Sequence, residues 1–262
     1  MTYKKQLGII KKDVKSVILN KQLFLTMLIL PVVFSVVIPT VFVLSTLLSP
    51  GDSKDFAQML ELLGSAVEGE NPQEMLLGLV LNYVLPIFFL LIPIFVSSIM
   101  AASSFVGERE KKTLETLCYS PMTITEIFQA KVWASFAIGM LFSLGSFLLL
   151  FVVLEAELMA ITGTPMLPEV SWIFVLLLIS PALSLVTIAL MVRESAKAKT
   201  VEEAQQKAGF LVIPFILLLV GQFAGLFLIS NWLLLLLGVV LSVLAGALLK
   251  SSMHTFDYEK LL

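Results

Sequence analysis

The chain has 262 residues, of which 58% are hydrophobic and only 14% charged, with a formal net charge of −2. Soluble globular domains carry about a quarter charged residues, so this composition excludes an ordinary water-soluble fold and makes lipid the solvent. A single cysteine, Cys118, and a single histidine, His254 in a polar tail, exclude an intrachain disulfide and a thiolate metal cluster, and any His-dependent metal or Ser-His-Asp site would rest on that tail residue.

In the first twenty residues Tyr3, Leu7, Ile10, Val14 and Val17 recur at helical spacing while lysines fill the remaining arc. This pattern predicts an amphipathic helix within residues 1–22, lying in the inner membrane interface; a frayed basic terminus is the alternative. The basic start and the apolar run behind it superficially resemble a signal peptide. The run is too long and has no small-residue cleavage site, so a retained first span is expected.

Six stretches free of Asp, Glu, Lys, Arg and His follow, at about 23–48, 79–105, 132–154, 172–192, 208–230 and 232–249. Each matches the roughly 20 apolar residues that cross a bilayer core about 30 Å thick. A charge at the centre of a span costs about 2.5–3.5 kcal/mol, so the exclusion of charges from all six is itself a signal. Only Ser230-Asn231 separates the last two. One continuous helix there would reach about twice the hydrocarbon thickness, which favours a tight hairpin with Trp232 at the interface.

Between the first two spans, Phe56, Met59, Leu60, Leu63 and Val67 share one helical stripe, and Asn71-Pro72 with Glu74 marks another helix start. This acidic segment is too short for a substrate-binding domain. Sixteen of the seventeen Lys and Arg fall in the N-terminal segment, the second and fourth loops and the tail at 250–262; Lys54 is the exception. The positive-inside rule then places both termini in the cytoplasm and spans 23–249 as one six-span domain.

The second loop is the most informative segment. Glu108-Arg-Glu-Lys-Lys-Thr-Leu-Glu-Thr-Leu opens with a charge cluster and continues into a short helix on which Leu114, Leu117 and Cys118 share a face, stopped by Pro121. Thr123 and Glu126 form a capping box that starts the helix running into span three. The fourth loop repeats that device at Thr200 and Glu203. A short amphipathic helix tied to two spans can act as a lever for a soluble partner, with Leu114 and Leu117 as anchor and Glu108, Glu110, Lys111 and Glu115 giving orientation. A solvated connector is the alternative.

The run from Glu108 to Leu117, with Ser120-Pro121, Glu126-Ile127 and Lys131, resembles the corresponding loop of ABC-2-type transporter permeases, which has an acidic residue, a Thr-Leu-Glu element, then a Pro and a Lys at the mouth of the next span. Lys112 departs from the Gly common in that family. The resemblance implies an all-α integral membrane protein of six transmembrane helices, with an N-terminal amphipathic interfacial helix and a cytoplasmic coupling helix between spans two and three. It also implies that Glu108, Glu110, Lys111, Thr113, Leu114, Glu115, Leu117 and Pro121 dock on a separate ATP-binding cassette ATPase. A second permease subunit, in a homodimer or heterodimer, and membrane lipid are the further partners implied. Glu202-Glu203-Ala-Gln-Gln is similar to sodium-efflux-type members of the family.

No Gly-x-x-x-x-Gly-Lys-Ser/Thr loop occurs in the sequence, so no ATPase activity is expected of this chain, and ATP and Mg are expected on the partner. Nothing in the sequence calls for nucleic acid. An intramembrane protease would need His, Asp or Glu inside the spans. Prolines in or near spans one, two, four and five (Pro31, Pro39, Pro86, Pro93, Pro181 and Pro214) predict kinks, and the small residues Ser135, Gly139, Ser143, Gly221, Gly225, Gly238, Ser242 and Gly246 predict close helix contacts. Asn82, Tyr83 and Gln222 are the polar residues placed to line a path, with interhelical hydrogen bonding as the alternative. The expected function is ATP-driven export of an unidentified cargo across the cell membrane, for which an amphipathic molecule suits the apolar spans better than a small hydrophilic solute; a non-transporting membrane anchor or sensor is the rival.

Overall fold

Asn20 sets the first corner of the fold. Its side chain accepts from the backbone N–H groups of Gln22 and Leu23, at 3.2 and 3.3 Å, so it ends α1 (Thr2–Leu19) and caps the helix that follows. The computed structural model describes residues 2–48, 77–78, 80–110, 122–161, 169–195, 197–198, 200–223 and 231–255. Among these there is no strand.

Six helices long and apolar enough to cross a membrane follow α1. They are α2 (21–48), α3 (80–110), α4 (Ile124–Ile161), α5 (170–195), α6 (201–223) and α7 (Asn231–Thr255). Of the apolar window of α3, 89% is buried, against 17% for α7, so α3 is the axis on which the others pack. α5 and α4 lie against α3, α7 against α5, and the first turns of α6 against the end of α3.

Prolines explain where three of these helices loosen. α2, α3 and α5 each contain a π-helical turn, at Val33–Val37, Val80–Val84 and Val175–Ile179, and each turn ends two residues before a proline, Pro39, Pro86 and Pro181. A proline ring lacks the N–H that would bond the carbonyl four residues back and collides with it, so the ladder widens there. In α6 the 3₁₀ segment Gly209–Val212 likewise precedes Pro214.

Two expected small-residue contacts occur. A methyl group on Gly139 of α4 would collide with the Ser97 hydroxyl of α3 and lie 3.4 Å from the Ser184 hydroxyl of α5. One on Gly238 of α7 would lie 2.5 Å from Leu178 of α5. Toward the other end of the bundle from α1, Phe89 stacks edge-on against Trp172 at a centroid distance of 5.6 Å, and the Trp172 indole donates to the Leu81 carbonyl at 3.1 Å.

Several elements differ from expectation. The capping box starts α4 at Ile124 and the helix continues to Ile161, well past the expected 154, carrying Glu155 and Glu157 with it; Glu157 accepts from the Thr40 hydroxyl of α2. α6 begins at Val201, at the cap expected of Thr200, ahead of the charge-free stretch that starts at 208. Of the apolar stripe of α1, Val17 is buried and Ile10 and Val14 pack on the core, while Leu7 is exposed. The hairpin expected at Ser230-Asn231 borders residues 224–230, and the helices expected between spans one and two fall in 49–76, all outside the described residues.

Candidate functional site: a charged junction at the end of α3

The last turns of α3 carry Ser104, Phe105, Glu108, Arg109 and Glu110, and the polar members between them reach α1, α4, α5 and α6. Glu108, 12% exposed, accepts from the Lys12 ammonium of α1 at 2.8 Å and from the Lys131 ammonium of α4. Lys131 has no solvent exposure; it also donates to the backbone carbonyl of Ser104 and, at 3.2 Å, to the Ser104 hydroxyl, and lies 5.4 Å from the centre of the Phe105 ring. The Ser104 hydroxyl in turn donates to Asp13 of α1 at 2.8 Å, and Asp13 is 4% exposed. A buried ion costs several kcal/mol unless paired and hydrogen-bonded, and here two carboxylates face two ammonium groups.

Burial pushes the Asp13 carboxyl above its ordinary range, although the Lys131 charge and the Ser104 hydrogen bond pull the other way. Partial burial opposes the charged form of Lys12, but the Glu108 hydrogen bond and charge outweigh it and raise the ammonium above its ordinary value. A cavity of about 200 Å³ borders the cluster, lined by Lys12, Asp13, Met100, Ser104 and Glu108 among others.

The next two residues bind the other side of the bundle. Arg109 donates to the Ser195 carbonyl at the end of α5, at 2.9 Å, and Glu110 accepts from the Val201 N–H at the start of α6, at 3.3 Å. That acceptor satisfies an open donor of the first helical turn and places a negative charge at the positive end of α6. Arg193 of α5 then donates to Ser251 of α7 at 2.8 Å. Among the described residues, Lys12, Arg109, Lys131 and Arg193 therefore gather at one end of the bundle, and three consecutive residues tie α3 to α1, α4, α5 and α6.

Of the residues expected in the coupling helix, Glu108 and Glu110 are engaged within the chain. Lys111, Thr113, Leu114, Glu115, Leu117 and Pro121 fall in 111–121, outside the described residues. On the far side of that segment the capping box is complete: the Thr123 N–H donates to the Glu126 carboxylate at 2.9 Å and the Glu126 N–H to the Thr123 hydroxyl at 3.3 Å. The described residues on either side of 111–121 are thus both held by hydrogen bonds.

The pathway candidates are not brought together with this junction. Asn82 bonds Glu169 at the start of α5, donating to its carboxylate at 3.1 Å and accepting from its N–H at 3.4 Å, so it clasps two helices. Tyr83 is half-buried beside it. Gln222 lies in the last turn of α6.

Sequence reasoning missed Asp13 altogether and placed Lys131 in the loop. Asp13 did carry a signal, since it lies three residues after Ile10 and four before Val17, on the apolar stripe. Lys131 sits one residue before the expected third span, where a lysine is read as solvated; only the fold reveals that Glu108 and the Ser104 carbonyl await it.

A family model described as "ABC-2 type transporter" matches residues 7–221. No curated protein and no solved structure matches the chain.

Proposed function

The chain belongs to the ABC-2 type transporter family, and from that premise we propose that it is the permease subunit of an exporter whose ATP is hydrolysed on a separate ATPase docked at residues 111–121. Membership and six apolar helices make it a multi-pass membrane protein and a permease subunit of an ABC-type transporter. The proposal adds the direction, the docking site and the placement.

The observation that carries it is the four-way junction at the root of the segment. A lever works only if its base is rigid and its displacement reaches several spans, and Glu108, Arg109 and Glu110 join the base to α1, α4, α5 and α6. In this reading Leu114 and Leu117 anchor the ATPase, Lys111, Thr113 and Glu115 orient it, Pro121 ends the helix, and Glu108 and Glu110 hold its base. ATP and Mg belong to the partner, and the chain itself carries no catalytic residue.

The basic end of the bundle faces the cytoplasm of a cell whose outer boundary membrane the protein spans, with both termini inside. Residues 1–22 form the interfacial helix, 23–249 the transmembrane domain and 250–262 the tail. A second permease, identical or homologous, completes the path, with Tyr83, Gln222 and Asn82 placed to line it. Predominantly apolar spans suit an amphipathic cargo of lipid, peptide or drug character.

The test is association. Leu114→Asp with Leu117→Asp abolishes co-purification of the ATPase while the permease still inserts; retained association overturns the docking site.

A further inference from the structure

We propose that the cavity between α1 and α3 binds the phosphoethanolamine headgroup of a phospholipid, with its primary ammonium on Asp13 and its phosphate on Lys12. The site uses no residue of the 111–121 segment and stands whether or not an ATPase docks there.

The unequal sharing of charge in the junction points to a cationic group. Both ammonium groups of the cluster, Lys12 and Lys131, go to Glu108. The Asp13 carboxylate accepts from the Ser104 hydroxyl, and among the described residues no ammonium forms an ion pair with it. A carboxylate has about four acceptor positions, and this one, on a residue only 4% exposed, lines the cavity. A buried charge so incompletely paired is costly, and an ammonium entering the cavity relieves that cost.

The rest of the cavity selects among cations. Its volume of about 200 Å³ is many times what one water molecule needs. Ser16 and Ser103 add hydroxyl groups to its wall, while Val17 and Met100 add apolar surface suited to the two methylenes that join ammonium to phosphate. An ammonium has three donors; Lys12 gives one to Glu108, and its side chain is 55% exposed, so two remain for a phosphate at the mouth.

Depth and apolar surroundings favour a lipid over a soluble amine. α1 ends at Asn20, directly before the apolar run of α2, which places the cavity at the level of the headgroups. Leu19, three residues beyond Ser16 and so on the same side of α1, is 68% exposed. A charged cavity beside a bare leucine fits a ligand with a zwitterionic head and an acyl tail.

Headgroup discrimination reads the assignment. The full-length permease, stripped of lipid in detergent, is titrated with phosphatidylethanolamine, phosphatidylcholine and phosphatidylglycerol of identical acyl chains, and bound lipid is counted by native mass spectrometry. Phosphatidylethanolamine is expected to bind about tenfold more tightly than the other two, because choline has no N–H for Asp13 and glycerol has no positive charge. Asp13→Asn removes this preference, Lys12→Gln weakens phosphatidylethanolamine binding, and Ser16→Trp, which fills the cavity from an exposed position, abolishes the preferential site without lowering the lipid-free melting temperature.

Equal binding of the three lipids by the parent protein means surrounding lipid only and overturns the inference. Phosphatidylglycerol binding as tightly as phosphatidylethanolamine reduces the site to a lysine and a phosphate and also overturns it. So does a preference that survives in Ser16→Trp or an unchanged affinity in Lys12→Gln, even if Asp13→Asn fails to fold.

Discussion

Lys131 places an ammonium group with no solvent exposure directly against the Glu108 carboxylate, joining the start of α4 to the end of α3. The pair lies at the root of the segment assigned to the ATPase, so it bears on stability and on coupling alike.

Removing one partner of a buried ion pair strands the other. Lys131→Ala is expected to cost about 3 kcal/mol, the low end of the range for such pairs because Glu108 keeps Lys12. Lys131→Met combined with Glu108→Gln removes both charges and costs less than the sum of the two single changes. Thermal unfolding in detergent of the four proteins of this cycle checks the non-additivity; strictly additive losses would show that the two groups do not interact.

Asp13 gives the junction a pH dependence of known sign. Its carboxyl titrates near 3.8 when free and higher in the fold, because burial disfavours the charge. As pH rises through that interval the unfolded chain gives up its proton before the folded one, so wild type loses stability relative to Asp13→Asn. Above the folded value the difference is level, and below 3.8 the penalty is gone. Melting temperatures of the two proteins from acid to neutral pH check this; a wild type that gains on Asp13→Asn as pH rises would contradict it.

The two glycine contacts differ in how well their neighbours can yield. A methyl group on Gly238 meets the branch of Leu178, at 2.6 Å from Cγ, which moves aside only if the whole side chain changes rotamer or the helices part, so Gly238→Ala costs about 1–3 kcal/mol. A methyl on Gly139 meets the terminal hydroxyl of Ser97, which can turn aside, so Gly139→Ala costs less. Thermal unfolding orders the two variants, and Leu178→Ala paired with Gly238→Ala recovers part of the loss.

The spans were legible because bilayer thickness demands long runs of apolar residues, and the start of α4 because the capping box is a local pattern of Thr123 and Glu126. The π-turns were half legible: Pro39, Pro86 and Pro181 announced a disturbance but not which turn would open. The charged junction was not legible. Lys12 and Glu108 are 96 residues apart in sequence and Asp13 and Ser104 are 91 apart, and no periodicity connects them. Glu108 read as a docking residue because exposed charge and buried, paired charge look alike in a sequence; the difference lies in what the fold brings opposite.

Cys118 offers the most direct test of the account, because the chain's one cysteine falls within residues 111–121. Inside-out and right-side-out membrane vesicles carrying the permease are treated with a membrane-impermeant maleimide, with and without the ATPase. The account predicts labelling only in inside-out vesicles and its loss when the ATPase is bound. Labelling from the opposite face, or labelling that the bound ATPase leaves unchanged, would contradict it.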